Sequence, residues 1–378
     1  MQRTKQLFQD LLDVAGITIN GEGEADIQVH NTRLYREVLR RGSLGLGEAY
    51  MDGWWDARRL DLFFYKVLRA ALDEKVNARK LLPHILKAKL LNAGRKSKAF
   101  EIGEKHYDIG NLLFEHMLDK RMVYSGGYWK DAGNLDEAQE AKLDLICRKL
   151  GLKPGMKVLD IGCGWGSFCK YAAEKYDADV IGITVSKEQV EMGNQLCKGL
   201  NVKILLQDYR TLDTDKLLGK DTLFDRAVSV GMIEHVGYKN YALYMQTIRR
   251  MLHEDGIFLL QTIGGNSSSV TADPWINKYI FPVGMLPSIK QIGNSIENVF
   301  VMEDWHNFGT DYDKTLMAWH QNFEQSWEEL KAVYDDRFYR MWKYYLLSCA
   351  GSFRARKNQL WQIVLSKNGI VEGYQPVR

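Results

Sequence analysis

One stretch limits what this chain can fold into: Val158-Leu159-Asp160-Ile161-Gly162-Cys163-Gly164-Trp165-Gly166-Ser167-Phe168. An apolar run breaks into three glycines and opens onto a helical segment, Phe168 to Tyr176. That order is a strand, a tight turn and a helix N-terminus, where backbone N–H groups and the helix dipole meet a ligand closely. Asp160 closes the strand and brings a carboxylate to the same crevice. The glycines are spaced G-x-G-x-G, with an acid two residues ahead of the first, whereas a dinucleotide fingerprint reads G-x-G-x-x-G. A nicotinamide site also wants an acid at the end of the next strand. Here that strand ends Gly182-Ile183-Thr184-Val185-Ser186 and offers only Thr184, Ser186 and Gln189, which can hydrogen-bond a ribose.

Around this turn the pattern is α/β. Strands are expected at Lys157–Ile161, Val180–Thr184, Val202–Leu206, Phe224–Val230 and Gly256–Ile263. Helices are expected at Leu135–Leu150, Lys187–Lys198 and Tyr241–Leu252, the first with Ala138, Ala141, Leu145 and Cys147 on its apolar side. Alternation of this kind implies a parallel sheet with ligands at the strands' carboxyl ends. Two later strands, Phe300–Met302 and Leu360–Leu365, flank a helical stretch, Tyr312–Phe353, and can form an antiparallel hairpin at the sheet's edge. Ahead of the turn, Gln6–Ala15, Leu34–Leu39 and Asp61–Leu72 read as helices and Ala25–Val29 as a strand. Gly42–Gly47 reads as a flexible loop leading to Trp54 and Trp55. The reading divides the chain into a small, mainly helical N-terminal domain (1–69), a basic connection (70–99) and a catalytic domain (100–378).

Charge marks out the connection. Lys75 to Lys98 holds eight basic residues and no acid, inside a chain whose net charge is only +3. Leu82, Ile85, Leu86 and Leu90 share one helical face there. A basic amphipathic segment fits an anionic membrane surface, and equally a linker helix that packs its leucines on a neighbour. Aromatic residues are not interleaved with it, which disfavours nucleic acid. No run is long enough to span a bilayer and the N-terminus is unlike a signal peptide. The five cysteines show neither a paired framework nor a zinc spacing, so reduced cytosolic thiols and no metal are expected.

Candidate site residues sit at strand ends. Asp208, Tyr209 and Arg210 follow the third strand, within reach of an adenine, or serve as an ordinary cap and loop. Glu234 follows the fourth strand beside Met232, Ile233 and Val236, and is the sharpest candidate for chemistry; its alternative is an N-cap or salt bridge for the next helix.

The glycine turn resembles the first motif of the S-adenosylmethionine-dependent methyltransferases, in which the acid faces the cofactor's amino group. Beyond the turn, the chain resembles the cyclopropane-fatty-acyl-phospholipid synthases over nearly its whole length. The matching stretches are Gly42 to Trp55, Lys105-His-Tyr-Asp108, Val158 to Gly166, Val230-Gly-Met-Ile-Glu-His-Val-Gly237, Asp273 to Pro282, Glu303 to Gly309, Asp311-Tyr312 and Cys349 to Arg356. The resemblance implies a class I methyltransferase fold with a mostly parallel seven-stranded sheet. It also implies methylene transfer from S-adenosylmethionine to the cis double bond of unsaturated acyl chains in membrane phospholipids. It further implies a bound bicarbonate as base, held by Glu234 and Tyr312 side chains and the Ile263 backbone, and cofactor contacts at Tyr124 and Ser125. Cys349 matches a cysteine once regarded as the active residue, and Tyr312 or Trp305 offers an aromatic face to a passing cation. A homodimer, peripherally attached to the inner face of the membrane, completes the expectation.

Two positions depart from the family. Gly126 stands where the family has cysteine after Tyr-Ser, and Gln261 where it has histidine before Thr-Ile-Gly. An amide orients an anion by hydrogen bonding but shares none of its charge. A non-cyclopropane lipid product, or a lipid- and cofactor-binding paralogue with impaired turnover, are the alternatives these departures leave open.

Overall fold

The computed structural model describes residues 2–73 and 110–378; the basic segment Lys75–Lys98 and Lys105–Asp108 lie outside the described residues. The chain forms two compact units. One comprises Met1–Leu91, Val270–Val283 and Gly309–Gln359, and the other Asn92–Ser269, Gly284–Phe308 and Leu360–Arg378. The first unit therefore takes in two later segments that the sequence reading had assigned to the domain running from 100 to 378.

The first unit is mainly helical. Its described helices are Gln2–Asp13, Arg33–Arg41, Ser43–Met51, Leu60–Arg69, Pro274–Tyr279, Gly309–Gln325, Trp327–Leu330 and Asp336–Arg354, with a short antiparallel pair, β1 (Ile27–Val29) and β2 (Trp55–Ala57). Aromatic rings fill its interior: Trp55 packs on Tyr50 and Phe63, and Tyr344 on Tyr50, Phe64 and Trp275, at centroid separations of 4.4–5.5 Å. The Arg354 guanidinium joins Asp61 and Asp313 at 2.6 and 2.8 Å. Burial works against Asp61, yet Arg59 and Arg354 hold its carboxyl down at about 2.

The expected flexible loop at Gly42–Gly47 is instead the start of the helix Ser43–Met51. Glycine serves close packing there. A Cβ on Gly45 would stand 2.4 Å from the Glu37 carbonyl oxygen, and one on Gly47 2.3 Å from Trp275. Local composition reads as flexible, but the missing side chains make room for a neighbouring backbone and an indole.

The second unit carries one seven-stranded sheet in the order β5-β4-β3-β6-β7-β9-β8. Its strands are β3 (Lys157–Ile161), β4 (Asp179–Thr184), β5 (Val202–Leu206), β6 (Phe224–Val230), β7 (Leu252–Gly265), β8 (Val301–Asn307) and β9 (Asn358–Ser366). The pairs β3–β4, β3–β6, β4–β5 and β6–β7 are parallel and β8–β9 is antiparallel. The expected edge hairpin is therefore present. Both faces are covered, as a parallel sheet requires. Val158, Val180, Val228, Leu259 and Val364 point into one cluster; Leu159, Ile161, Ala227, Phe258, Leu260 and Ile363 point into the other.

The helix Leu135–Leu150 lies against the first of these faces. Asn134 caps it by accepting from the Glu137 N–H at 3.0 Å, and left-handed Gly151 ends it. Of its expected apolar side, Ala138, Leu145 and Cys147 are fully buried and Ala141 half-buried, and Gln139, Lys142 and Lys149 are fully buried as well.

Gly47→Ala should destabilise the protein by about 1–3 kcal/mol, the usual cost of forcing extra volume into a packed interior. Chemical denaturation checks this, and an unchanged midpoint would show that Trp275 moves aside freely.

Candidate active site

The parallel strands bring the carboxyl ends of β3, β4, β5, β6 and β7 to one edge of the sheet, and the strand-end candidates gather there. At β3, Gly162, Gly164 and Gly166 all have positive φ, a conformation that side chains resist. Gly162 must also be bare: a Cβ there would lie 2.7 Å from the Met232 side chain. The turn is fixed by the Gly162 and Cys163 N–H groups, which donate to the Ile183 carbonyl at 2.9 and 3.0 Å. Asp160 is buried and accepts from the Cys169 thiol at 3.4 Å. Burial raises its carboxyl to about 7, against the Cys169 bond and the Lys142 charge, which pull it down.

The loop Arg121–Tyr128 is tied to this turn from two sides. The Ser167 hydroxyl donates to the Arg121 and Met122 carbonyls at 2.6 and 3.1 Å. From Leu135–Leu150, the Gln139 amide donates to the Ser125 carbonyl at 2.7 Å and the Lys142 ammonium to the Ser125 hydroxyl at 3.0 Å. Tyr124, Ser125 and Gly126 are thereby held against the glycine turn, and Tyr124 packs edge-on to Phe114 at 4.9 Å.

At β4 and β5 the side chains serve as caps. Ser186 caps the next helix, accepting from the Gln189 backbone N–H at 3.3 Å, and the Thr184 hydroxyl donates to the Gln189 side-chain Oε1 at 2.6 Å. Asp208 caps a short 3-10 turn and binds the Arg210 guanidinium. Two buried polar atoms here, Gln189 Nε2 and the Tyr209 hydroxyl, have no hydrogen-bond partner among the described residues. Buried polar groups are normally satisfied, so a donor and a hydroxyl left open beside a glycine turn fit an adenosyl group.

At β6 and β7, Glu234 is not an N-cap. Its Oε1 accepts from the Ile263 N–H at 2.8 Å, while the buried Oε2 makes no close hydrogen bond among the described residues. Burial pushes its carboxyl up to about 7, opposed by its own backbone N–H, the Ile263 N–H and the Thr262 hydroxyl. The Ile263 backbone N–H is thus engaged in holding Glu234. Gln261 is fully buried; its Oε1 accepts from Gln362 at 2.9 Å and its Nε2 is open. By strand alternation Gln261 shares a face with Leu259, and so with the helix Leu135–Leu150.

Tyr312 and Cys349 belong to the other unit. Tyr312 is buried against Phe353 and Trp319, at 4.7 and 5.9 Å. Burial pushes the Cys349 thiol up to about 12, with Asp273 adding to the shift, so almost no thiolate exists at neutral pH and the environment opposes a nucleophilic role. Trp305 packs on Trp361 at 5.0 Å in the second cluster, on the sheet face away from Gln261. Sequence reading missed Lys142, Gln139, Ser167 and Gln362. The available signal was polar residues on the apolar stripe of a helix or inside a continuous apolar strand.

Known proteins resemble this assembly closely. The mycolic acid cyclopropane synthetase family model matches residues 94–363. The cyclopropane-fatty-acyl-phospholipid synthase of Escherichia coli K12 is 54% identical over 99% of this chain and 96% of its own length. A probable fatty acid methyltransferase of Pseudomonas putida is 39% identical over 69% of the chain and 68% of its own length. Among solved structures, mycolic acid cyclopropane synthase CmaA1 in complex with SAH and CTAB superposes with a TM-score of 0.65, at 32% identity, over 71% of this chain and 98% of that one.

Glu234→Gln should gain stability over the parent as pH rises from 4.5 to 7. A raised carboxyl pKa means the folded state favours the protonated form, so ionisation opposes folding above that range. The gain should reach about 2–3 kcal/mol by pH 8 and vanish at pH 4. Denaturation at the two pH values checks it; an equal difference at both would mean that Glu234 does not titrate in this range.

Proposed function

We propose a function from one premise: the chain belongs to the mycolic acid cyclopropane synthetase family. It is an S-adenosylmethionine-dependent enzyme that adds a methylene across the cis double bond of unsaturated acyl chains in phospholipids. The observation that carries this reading is the dry carboxyl of Glu234, with one open oxygen, on the same sheet edge as the glycine turn. The full-length likeness to a phospholipid synthase selects the substrate class.

The bound cofactor supplies an electrophilic methyl group. An alkene is a weak nucleophile, so the chain's own task is to exclude water and fix the geometry. Gly162, Gly164 and Gly166 would bring backbone close to the cofactor, Asp160 would meet its amino group, and Thr184, Ser186, Gln189, Asp208, Tyr209 and Arg210 would hold its adenosyl half. Adding CH2 to a double bond releases one proton overall, which needs an acceptor at the site. Glu234, the open amide of Gln261 and the backbone at Gly126 are suited to hold a bicarbonate in that role. With its carboxyl near 7, Glu234 donates a hydrogen bond to an anion through Oε2 when protonated.

A second reading, a methyl-branched or otherwise ring-free lipid product, is favoured by Gly126 and Gln261 and by the likeness to the Pseudomonas putida protein. The segment Lys75–Lys98 is proposed to hold the enzyme on an anionic membrane surface, and the active form is proposed to be a homodimer. Among the described residues no helix is long and apolar enough to cross a membrane.

Incubation with S-adenosylmethionine and monounsaturated phospholipid vesicles, followed by mass spectrometry, decides between products. A lipid heavier by one CH2 that resists hydrogenation carries a ring; one that takes up hydrogen overturns the cyclopropane assignment. Glu234→Gln should lower turnover about 100-fold or more, with S-adenosylhomocysteine affinity within about threefold; retained turnover would remove Glu234 from the chemistry. Replacing Lys87, Lys89, Arg95 and Lys96 by Ser should weaken binding to anionic vesicles, by roughly 1 kcal/mol per residue at low salt. Unchanged co-sedimentation would sink the membrane assignment.

A further inference from the structure

Two glutamines interrupt the apolar face of the sheet that carries Val158, Leu259 and Val364. Gln261 lies near the carboxyl end of β7 and Gln362 on β9, the next strand, and both are fully buried. By strand alternation their side chains share that face with Leu259 and Val364. Gln362 Nε2 donates to Gln261 Oε1 at 2.9 Å. Each amide then keeps one buried atom without a hydrogen-bond partner among the described residues, Nε2 of Gln261 and Oε1 of Gln362. Buried polar atoms are normally satisfied, and one left unmet is costly. Two apolar side chains would suit these surroundings better, so a ligand explains the pair where core packing does not.

We propose that Gln362 is a positioning residue for the reaction: its hydrogen bond to Oε1 fixes the Gln261 amide with the NH2 end left to donate to an anion. The proposal rests on the reading of a bicarbonate held beside Glu234 and Gln261. The Gln261 main chain is fixed independently, since its carbonyl accepts from the Gly231 N–H at 2.9 Å and it pairs with Val230 of β6. What remains to be set is the side chain, a flexible stem whose amide can present either a donor or an acceptor. An anion accepts from the NH2 end and is repelled by the carbonyl end. Among the described residues Gln362 is the one group bonded to this amide, so the choice of end falls to it.

The pair borders the site in two directions. Two residues beyond Gln261 on β7, the Ile263 N–H donates to Glu234 Oε1 at 2.8 Å. On the other side, Gln362 is the register partner of His306 on the edge strand β8. His306 meets Tyr128 edge-on at 5.7 Å, and Tyr128 stands two residues past Gly126 in the loop that Ser167 ties to the glycine turn. A polar row, Gln261, Gln362 and His306, thus runs from the strand that holds Glu234 to the loop that carries Gly126.

The test is binding of isotope-labelled bicarbonate, read by NMR, to the S-adenosylhomocysteine complex of the full chain. The parent, Gln362→Met, Gln261→Met and the double variant are compared; methionine keeps the side chain's length and removes its amide. Each single variant should bind bicarbonate about tenfold more weakly, as expected for losing a hydrogen bond to a charged group. The double variant should bind as weakly as Gln261→Met, because Gln362 acts only through Gln261. S-adenosylhomocysteine affinity should stay within about threefold of the parent throughout, and kcat should fall with the KM for S-adenosylmethionine unchanged. Gln362→Met leaves the Gln261 carbonyl buried and unmet; should it not fold, the double variant, which removes both partners, is read against Gln261→Met directly. A further loss in the double variant, or S-adenosylhomocysteine affinity falling in parallel with bicarbonate, would overturn the proposal as a merely structural role. Parent-like bicarbonate binding in Gln362→Met beside a loss in Gln261→Met would remove Gln362 and leave the bicarbonate reading standing. No bicarbonate binding by the parent, or parent-like binding in Gln261→Met, would overturn that reading and the proposal with it.

Discussion

Desolvation of charge at the carboxyl edge of the sheet is the constraint that the second unit is built around. Asp160, Glu234 and Lys142 are each taken out of water, and each is pushed toward its neutral form as a result. Burying an ionised group without partners is expensive, so such groups persist where fixed hydrogen bonds or a nearby opposite charge offset the burial. Here the offsets are specific: the Ile263 N–H for Glu234, and Lys142 and the Cys169 thiol for Asp160. The sheet supplies the rigidity these offsets need. Ile263 lies on β7, whose partner β6 leads into the short helix that carries Glu234, so the carboxyl and its donor are held by adjacent strands.

The same constraint explains the loop Arg121–Tyr128. The loop buries Met122, Val123 and Tyr128 and is held by polar ties as well. Ser167, Gln139, Lys142 and Asp119 supply them, and three of the four are buried themselves. Buried hydrogen bonds are strong because leaving one unmade exposes a group to the full penalty. The loop's register against the glycine turn is therefore set by residues that touch no ligand.

Most of the second unit was legible in the sequence because its signals are local. The glycine turn, the apolar strands and the capped helix Leu135–Leu150 follow from neighbours a few positions apart, and their bounds in the structure match within a few residues. What was not legible depends on contacts between distant segments. Gly45 and Gly47 read as a flexible loop because nothing nearby in sequence shows that Glu37 and Trp275 need the space. Lys142 reads as a solvated charge because only the fold brings Ser125, Asp119 and Asp160 around it. The membership of 270–283 and 309–359 in the first unit is a property of packing that no boundary signal announces. At the site, strand-end position found Glu234, Asp160 and Asp208, while the resemblance alone supplied Tyr312 and Cys349, neither of which lies in the unit that carries the glycine turn.

Gln261 and Gln362 show how a departure from the family pattern can change a site's proton balance without emptying it. Gln362 donates to Gln261, which leaves one amide donor and one carbonyl acceptor open on a buried pair. A histidine at the first position would offer a donor whose charge changes near neutral pH. An amide offers a donor that is the same at every pH. His306, farther along the same face, does not restore the lost titration, since burial and the Lys149 charge lower it to about 4. Glu234, bonded to the Ile263 N–H two residues farther along β7, is pushed up to about 7 by burial. In the proposed site a protonated Glu234 and the Gln261 amide would both donate to an anion, and would hold one best on the acid side of that value. Ionisation of Glu234 replaces one donor with a repelling charge. On the proposed reaction, the proton released by adding CH2 would be taken up beside a carboxyl of similar proton affinity.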